Sequence, residues 1–124
     1  MRIVSFFVWI GCLCSVTSGI QAETPIQRAP SAATGKQNPF EGQQNARRAG
    51  AKLFARECAS CHGSNAEGGG KVPPLRQPEV HRASPGAVYW VVRNGSLWHG
   101  MPSFAHVPEP QLWQIVSYVK SLEP

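Results

Sequence analysis

The run Cys58-Ala59-Ser60-Cys61-His62 constrains this chain more than any other feature. Two thiols with two residues between them and an imidazole directly after can be used in few ways. The remaining cysteines, Cys12 and Cys14, fall in an N-terminal stretch with the pattern of a secretory signal. In that stretch Arg2 supplies the positive start, and Ile3, Val4, Phe6, Phe7, Val8, Trp9, Ile10, Leu13 and Val16 supply the apolar run. Cleavage after Ala22 or Gly19 would leave Cys58 and Cys61 as the whole cysteine content. A disulfide framework is then excluded. An uncleaved signal would act as a membrane anchor, and acylation at Cys12 is a further alternative.

A thiol pair at this spacing serves a redox disulfide, half of a metal site, or the attachment of haem, and the residue after the second cysteine selects among them. A thioredoxin-like pair belongs in a βαβ context, for which no strand pattern exists here. A zinc site needs two more ligands, and His81, His99 and His106 offer no recognisable pair. On a local helical turn, by contrast, Cys58 and Cys61 can reach the two vinyl groups on one side of a porphyrin. His62 is then carried beneath the iron as a ligand. Export agrees with this, because such attachment takes place outside the cytoplasm. The expected cofactor is one covalent haem c with its iron.

The rest of the sequence organises around this run. Residues 23–44 hold Pro25, Pro30 and Pro39 among Gln, Ala, Ser, Thr and Gly, with Ile26 and Phe40 as the only large apolar groups, and are expected to form a disordered linker. Residues 45–124 are the expected domain. Asn45 is a good N-cap, followed at helical spacing by Ala46, Ala49, Gly50, Leu53, Phe54 and Glu57. Gly50 on the apolar face suggests close approach of another helix, since glycine otherwise weakens a helix by about 1 kcal/mol. His62 to Pro74 is glycine-rich loop. A second helix has Ser84 as cap, Pro85 in its first turn, Val88, Tyr89, Val91 and Val92 as its apolar side, and Asn94-Gly95 as its end. The last begins near Glu109-Pro110 and runs to Leu122 with Leu112, Ile115, Val116 and Val119 as its stripe. The fold class is therefore all-α, with three main helices and loops around the haem. So small a core needs the help of a cofactor.

A second axial ligand is offered by Met101, bracketed by Gly100 and Pro102, so that a flexible residue precedes it and a rigid one follows. Core filling is the ordinary use of a lone methionine, but filler belongs on a helix stripe rather than in a polar loop. His99 and His106 are the rival ligands.

These residues together resemble a class I cytochrome c of the small bacterial type, over Asn45 to Leu122. In such proteins the N-terminal helix carries a glycine and an aromatic ahead of the haem motif, matched by Gly50 and Phe54. The C-terminal helix crosses it and carries an aromatic, matched by Tyr118. A Gly-Pro-x-Leu segment supplies a proline carbonyl that accepts a hydrogen bond from the ligand histidine. Val72-Pro73-Pro74-Leu75 is similar but lacks the glycine, and Pro73 is the expected acceptor, with Pro74 as the alternative. The family's tryptophan near the haem propionates has candidates in Trp90 and Trp98, while Trp113 reads as packing.

The resemblance implies a periplasmic electron carrier, not an enzyme, with His62 and Met101 as axial ligands. Its partners would be redox proteins, a dehydrogenase as donor and an oxidase or reductase as acceptor. Alternatives are a five-coordinate haem enzyme of peroxidase type, a gas sensor, or a dedicated subunit of an exported dehydrogenase. The formal charge of +5 becomes +4 without Arg2, from 11 Lys and Arg against 7 Glu. Two propionates would bring it to about +2. With the basic residues scattered, nucleic acid is not an expected partner.

Overall fold

The structure is a computed structural model that describes Gly19 and residues 22–124. The expected signal, apart from Gly19 and Ala22, lies outside the described residues. The described residues form six α-helices in order: α1 Ser31–Thr34, α2 Gln44–Glu57, α3 Ala59–His62, α4 Pro78–Arg82, α5 Pro85–Asn94 and α6 Glu109–Ser121. A single 3-10 turn, Leu97–His99, lies between the last two. The described residues form no strand, only isolated bridges joining Gly69 to Val72 and Ser96 to Met101. The all-α expectation holds, with α2, α5 and α6 as its three main helices.

The crossing of α2 over α6 organises the core. Gly50 permits it, because a Cβ at that position would stand 1.9 Å from the carbonyl oxygen of Gln114 and 3.0 Å from Cβ of Tyr118. One turn later Phe54 packs on Tyr118, ring centroids 5.2 Å apart. Phe54, Leu112, Ile115 and Val116 are the largest fully buried side chains. Their removal from water is the principal stabilising contribution, at about 1.5–3 kcal/mol for each large apolar group.

Local signals act much as the sequence suggests at α5. The Ser84 hydroxyl accepts from the Ala87 amide at 3.1 Å, and Pro85 fills the first turn. The helix stops at Gly95, whose φ of +72° suits glycine and whose amide donates to the Val91 carbonyl at 2.7 Å. At α2 the structure differs. Gln43 is the N-cap with no side-chain bond, and Asn45 lies inside the helix, so packing against α6 rather than capping fixes this start.

The expectation of a disordered spacer over 23–44 is also corrected. Ala33 and Asn38 are buried in this segment. Asn38 Nδ2 donates to the Trp113 carbonyl at 3.2 Å and to Ser117 Oγ at 2.9 Å, while its Oδ1 accepts from the Phe40 amide at 2.9 Å. Composition is silent about such long-range partners, and a few well-placed contacts order a segment with little apolar content. Two other features hold the helices in register. Lys120 Nζ donates to the carbonyls of Val80, His81 and Ala83 at the end of α4. Trp113 is buried and stacks on Tyr89, centroids 4.1 Å apart and planes at 14°, as its packing role requires.

Candidate functional site

Cys58 ends α2 and opens α3, its amide bonded to the Phe54 carbonyl at 2.8 Å. The amides of Cys61 and His62 both return to the Cys58 carbonyl, at 3.2 and 2.9 Å, so the five-residue run is the local helical turn its spacing implies. Gly63, with φ of +82°, releases the chain into the loop. Both thiols are free, Cys58 buried and Cys61 exposed. Burial, followed by the nearby Glu57 and Cys61, pushes the Cys58 thiol up to about 11. A redox pair depends on a lowered thiol pKa and an accessible thiolate, so this environment opposes that use.

His62 is half-buried, and burial holds its imidazole below the ordinary histidine range. A neutral ring is the form that coordinates a metal. Its Nδ1 is buried without a hydrogen-bond partner. His62 forms one wall of an apolar cavity. Phe54 and Cys58 of α2, Val80 of α4, Val88, Val91 and Val92 of α5, and Ile115 and Val119 of α6 line the rest, with Leu75, Met101 and Ile26 contributed by loops. Apart from the histidine ring and two sulfurs, this lining is hydrocarbon.

Met101 reaches the cavity from a braced loop. Its amide donates to the Ser96 carbonyl at 3.0 Å and its carbonyl accepts from the Ser96 amide at 2.8 Å. Gly100 precedes it in the left-handed region, at φ of +76°. The Phe104 amide donates to the Val92 carbonyl at 3.3 Å and Ser103 Oγ to that of Arg93 at 2.8 Å, tying the loop to α5. The rival histidines behave otherwise. Both are exposed and neither lines the cavity: His99 Nδ1 pairs with Ser96 Oγ at 2.7 Å, and His106 lies beside Phe104. Among the described residues no three His, Cys, Asp or Glu side chains cluster as an all-protein metal site.

The expected bond from His62 to the Pro73 carbonyl is not formed, since Nδ1 has no partner. Gly69 and Val72 exchange amide bonds of 3.0 and 2.9 Å, and this tight turn packs the carbonyls of Val72 and Pro73 against Gly68. Trp98 is 92% exposed and Trp90 half-buried, and neither lines the cavity. The sequence reading missed Val80, on a short helix signalled only by Pro78 in its first turn. It also missed the part played by Ile26, an isolated isoleucine in a polar segment.

Residues 45–119 match the family described as cytochrome c oxidase, cbb3-type, subunit III. The chain belongs to this family of c-type cytochromes. The cytochrome is 42% identical over 74 residues to quinohemoprotein alcohol dehydrogenase ADH-IIG of Pseudomonas putida, a match covering 57% of the chain. It spans only 10% of that dehydrogenase's length. Among solved structures the cytochrome resembles cytochrome cL of Methylophaga aminisulfidivorans, with TM-score 0.61 and 21% identity over 86% of this chain and 72% of that one. It also resembles the KustC0563 c-type cytochrome, with TM-score 0.55 and 17% identity over 60% of this chain and 98% of that one. At these identities the likeness is one of fold.

The cofactor of a c-type cytochrome is covalently bound haem c, and the residues present fit it. The cavity is hydrocarbon-walled, the Cys58 thiol lines it while Cys61, three residues on in the same helical turn, is exposed outside its lining, and the orphaned Nδ1 is the atom an acceptor engages when the other ring nitrogen binds a metal.

Proposed function

We propose that this cytochrome is an exported single-electron carrier in which Cys58 and Cys61 hold haem c through thioethers and His62 and Met101 are its axial ligands. The observation that supports this best is the shared cavity: His62 and Met101, distant in sequence, line the same apolar space, whereas His99 and His106 face solvent. Haem c supplies an iron that cycles between ferrous and ferric states. His62 and Met101 would hold that iron from the protein side, and the hydrocarbon lining would keep substrate and water from it. A thioether ligand and hydrocarbon walls both disfavour the ferric charge, so a comparatively high potential is expected. Fixed ligation in both states keeps reorganisation small.

Likeness to a segment of a quinohaemoprotein dehydrogenase supports an exported dehydrogenase of that kind as electron donor, with an oxidase or reductase as acceptor. Export places the exchange in the periplasm, and among the described residues no helix is long and apolar enough to cross a membrane.

Visible and near-infrared spectra of the purified holoprotein test the ligand set. The oxidised form should be low-spin with a weak sulfur-to-iron band in the near infrared, lost in Met101→Ala and kept in His99→Ala and His106→Ala. Absence of the band, with rapid carbon monoxide binding to the reduced form, would replace the carrier by a five-coordinate haem protein.

A further inference from the structure

The matched family region begins at residue 45, yet one wall of the cavity comes from before it. Ile26 lines the same space as His62 and Met101. It is held there at several points. Thr24 Oγ1 donates to Glu79 Oε1 in the first turn of α4, next to Val80 of the cavity wall. The Ala29 amide returns to the Ile26 carbonyl at 3.1 Å, closing a turn about the isoleucine. The Ala33 carbonyl lies against Gly86 of α5, where a Cβ would come within 2.0 Å of its oxygen. Asn38 then fixes the segment to α6 through the Trp113 carbonyl and Ser117. Lys36 Nζ sits 5.8 Å from the centre of the Tyr89 ring, over the same pair of helices.

We infer that residues 24–42 are a strap that closes the haem cavity, and that Ile26 is a haem-contacting residue which excludes water and external ligands. This rests on the placement of haem c in that cavity. A spacer would have no reason to engage both the amide nitrogen and the oxygen of a buried asparagine, or to require a glycine on a facing helix so that its backbone can approach. Polar residues dominate the segment, and its one branched aliphatic side chain before α1 is the one turned to the cavity. The strap thereby completes a hydrocarbon wall that helices α4, α5 and α6 leave unfinished. Water admitted beside the iron stabilises the ferric form, so opening the strap lowers the potential.

The test compares secreted holoprotein with Ile26→Ser, Ile26→Ala and Gly86→Ala variants. Midpoint potential, the rate at which imidazole displaces the axial thioether in the oxidised form, and the rate of carbon monoxide binding to the reduced form are recorded. Ile26→Ser should lower the potential and accelerate both ligands by about tenfold, the scale expected when a closed state loses one buried aliphatic group. Ile26→Ala should do the same to a smaller extent. Gly86→Ala, which leaves Ile26 in place but displaces the Ala33 carbonyl, should move the same readouts in the same direction, and combining it with Ile26→Ser should add little. If Gly86→Ala yields no holoprotein, Asn38→Ala serves instead. Unchanged potential and ligand rates in Ile26→Ser, with the helical content of the parent, would overturn the strap. A parent without the near-infrared band would instead overturn methionine ligation, and carbon monoxide binding would still report on the strap.

Discussion

Gly50 of α2 and Gln114 of α6 meet so closely that a Cβ on the glycine would stand 1.9 Å from the glutamine carbonyl oxygen. The obstacle is helix backbone, which cannot rotate aside as a side chain would. Gly50→Ala should therefore destabilise the holoprotein by about 2 kcal/mol despite the better helix propensity of alanine, as overpacking typically does. Denaturant unfolding followed by helical circular dichroism measures it. An unchanged midpoint would mean that the helices separate at no cost and that the crossing does not depend on this residue.

The same crossing shows what the sequence could convey. A glycine on an apolar helix stripe, an aromatic one turn later and a second aromatic near the chain's end made the contact of α2 with α6 legible. So did Ser84, Pro85 and Gly95 for the limits of α5, because capping chemistry is local. The strap was illegible for the opposite reason. Asn38 is satisfied by Trp113 and Ser117, far along the chain, and no local pattern reports such a partner. At the site, the run from Cys58 to His62 states its own geometry, and the Gly-Met-Pro bracket marked Met101 as a loop residue aimed inward. The cavity wall supplied by Val80 and Ile26 depends on how short segments fold back, which neither periodicity nor composition encodes.

Gly68 and Gly70 provide an internal comparison within the loop that follows the haem run. Both have positive φ, +70° and +58°. A Cβ at Gly68 would lie 2.4 Å from the Val72 carbonyl oxygen, whereas at Gly70 nothing lies within 4 Å. Alanine at either position takes on left-handed backbone strain of about 1–2 kcal/mol. Gly68→Ala should cost more than Gly70→Ala, since it also forces apart the turn that leads to Leu75 in the cavity wall. Thermal unfolding of the two holoproteins should rank them in that order. Equal losses would show that strain alone matters and that the turn itself is free to relax.

Lys120 ties the end of α4 to α6 with one ammonium and three carbonyls, those of Val80, His81 and Ala83. Replacing it by methionine keeps most of the aliphatic stem but leaves those acceptors without their donor. Hydrogen bonds to a charged group are worth about 1.5–3 kcal/mol, and some of that returns when water reaches the partly buried carbonyls. Lys120→Met should thus lose about 2 kcal/mol of stability, read from denaturant unfolding. Hydrogen exchange should also rise at α4 before it rises at α2. Uniform acceleration across both helices would mean that Lys120 supports the whole core rather than this one junction.

Cys58 and Cys61 differ in surroundings though three residues apart, one thiol buried and raised to about 11, the other exposed. If both carry thioethers, haem should stay with the polypeptide through denaturing electrophoresis, and mass spectrometry should find one haem added to the chain. Replacing both cysteines by serine should abolish this retention, while either single substitution should leave one linkage and a covalent adduct of the same composition. The single variants should not be equal in stability. Cys58→Ser places a hydroxyl at the apolar wall, where a polar group without a partner costs about 1–3 kcal/mol, whereas Cys61→Ser leaves its hydroxyl near solvent. Cys58→Ser should accordingly unfold at lower denaturant concentration than Cys61→Ser. The reverse order would show that Cys58 does not sit at the cavity wall in the holoprotein. Haem retained by the double variant would show that the attachment is not through these thiols.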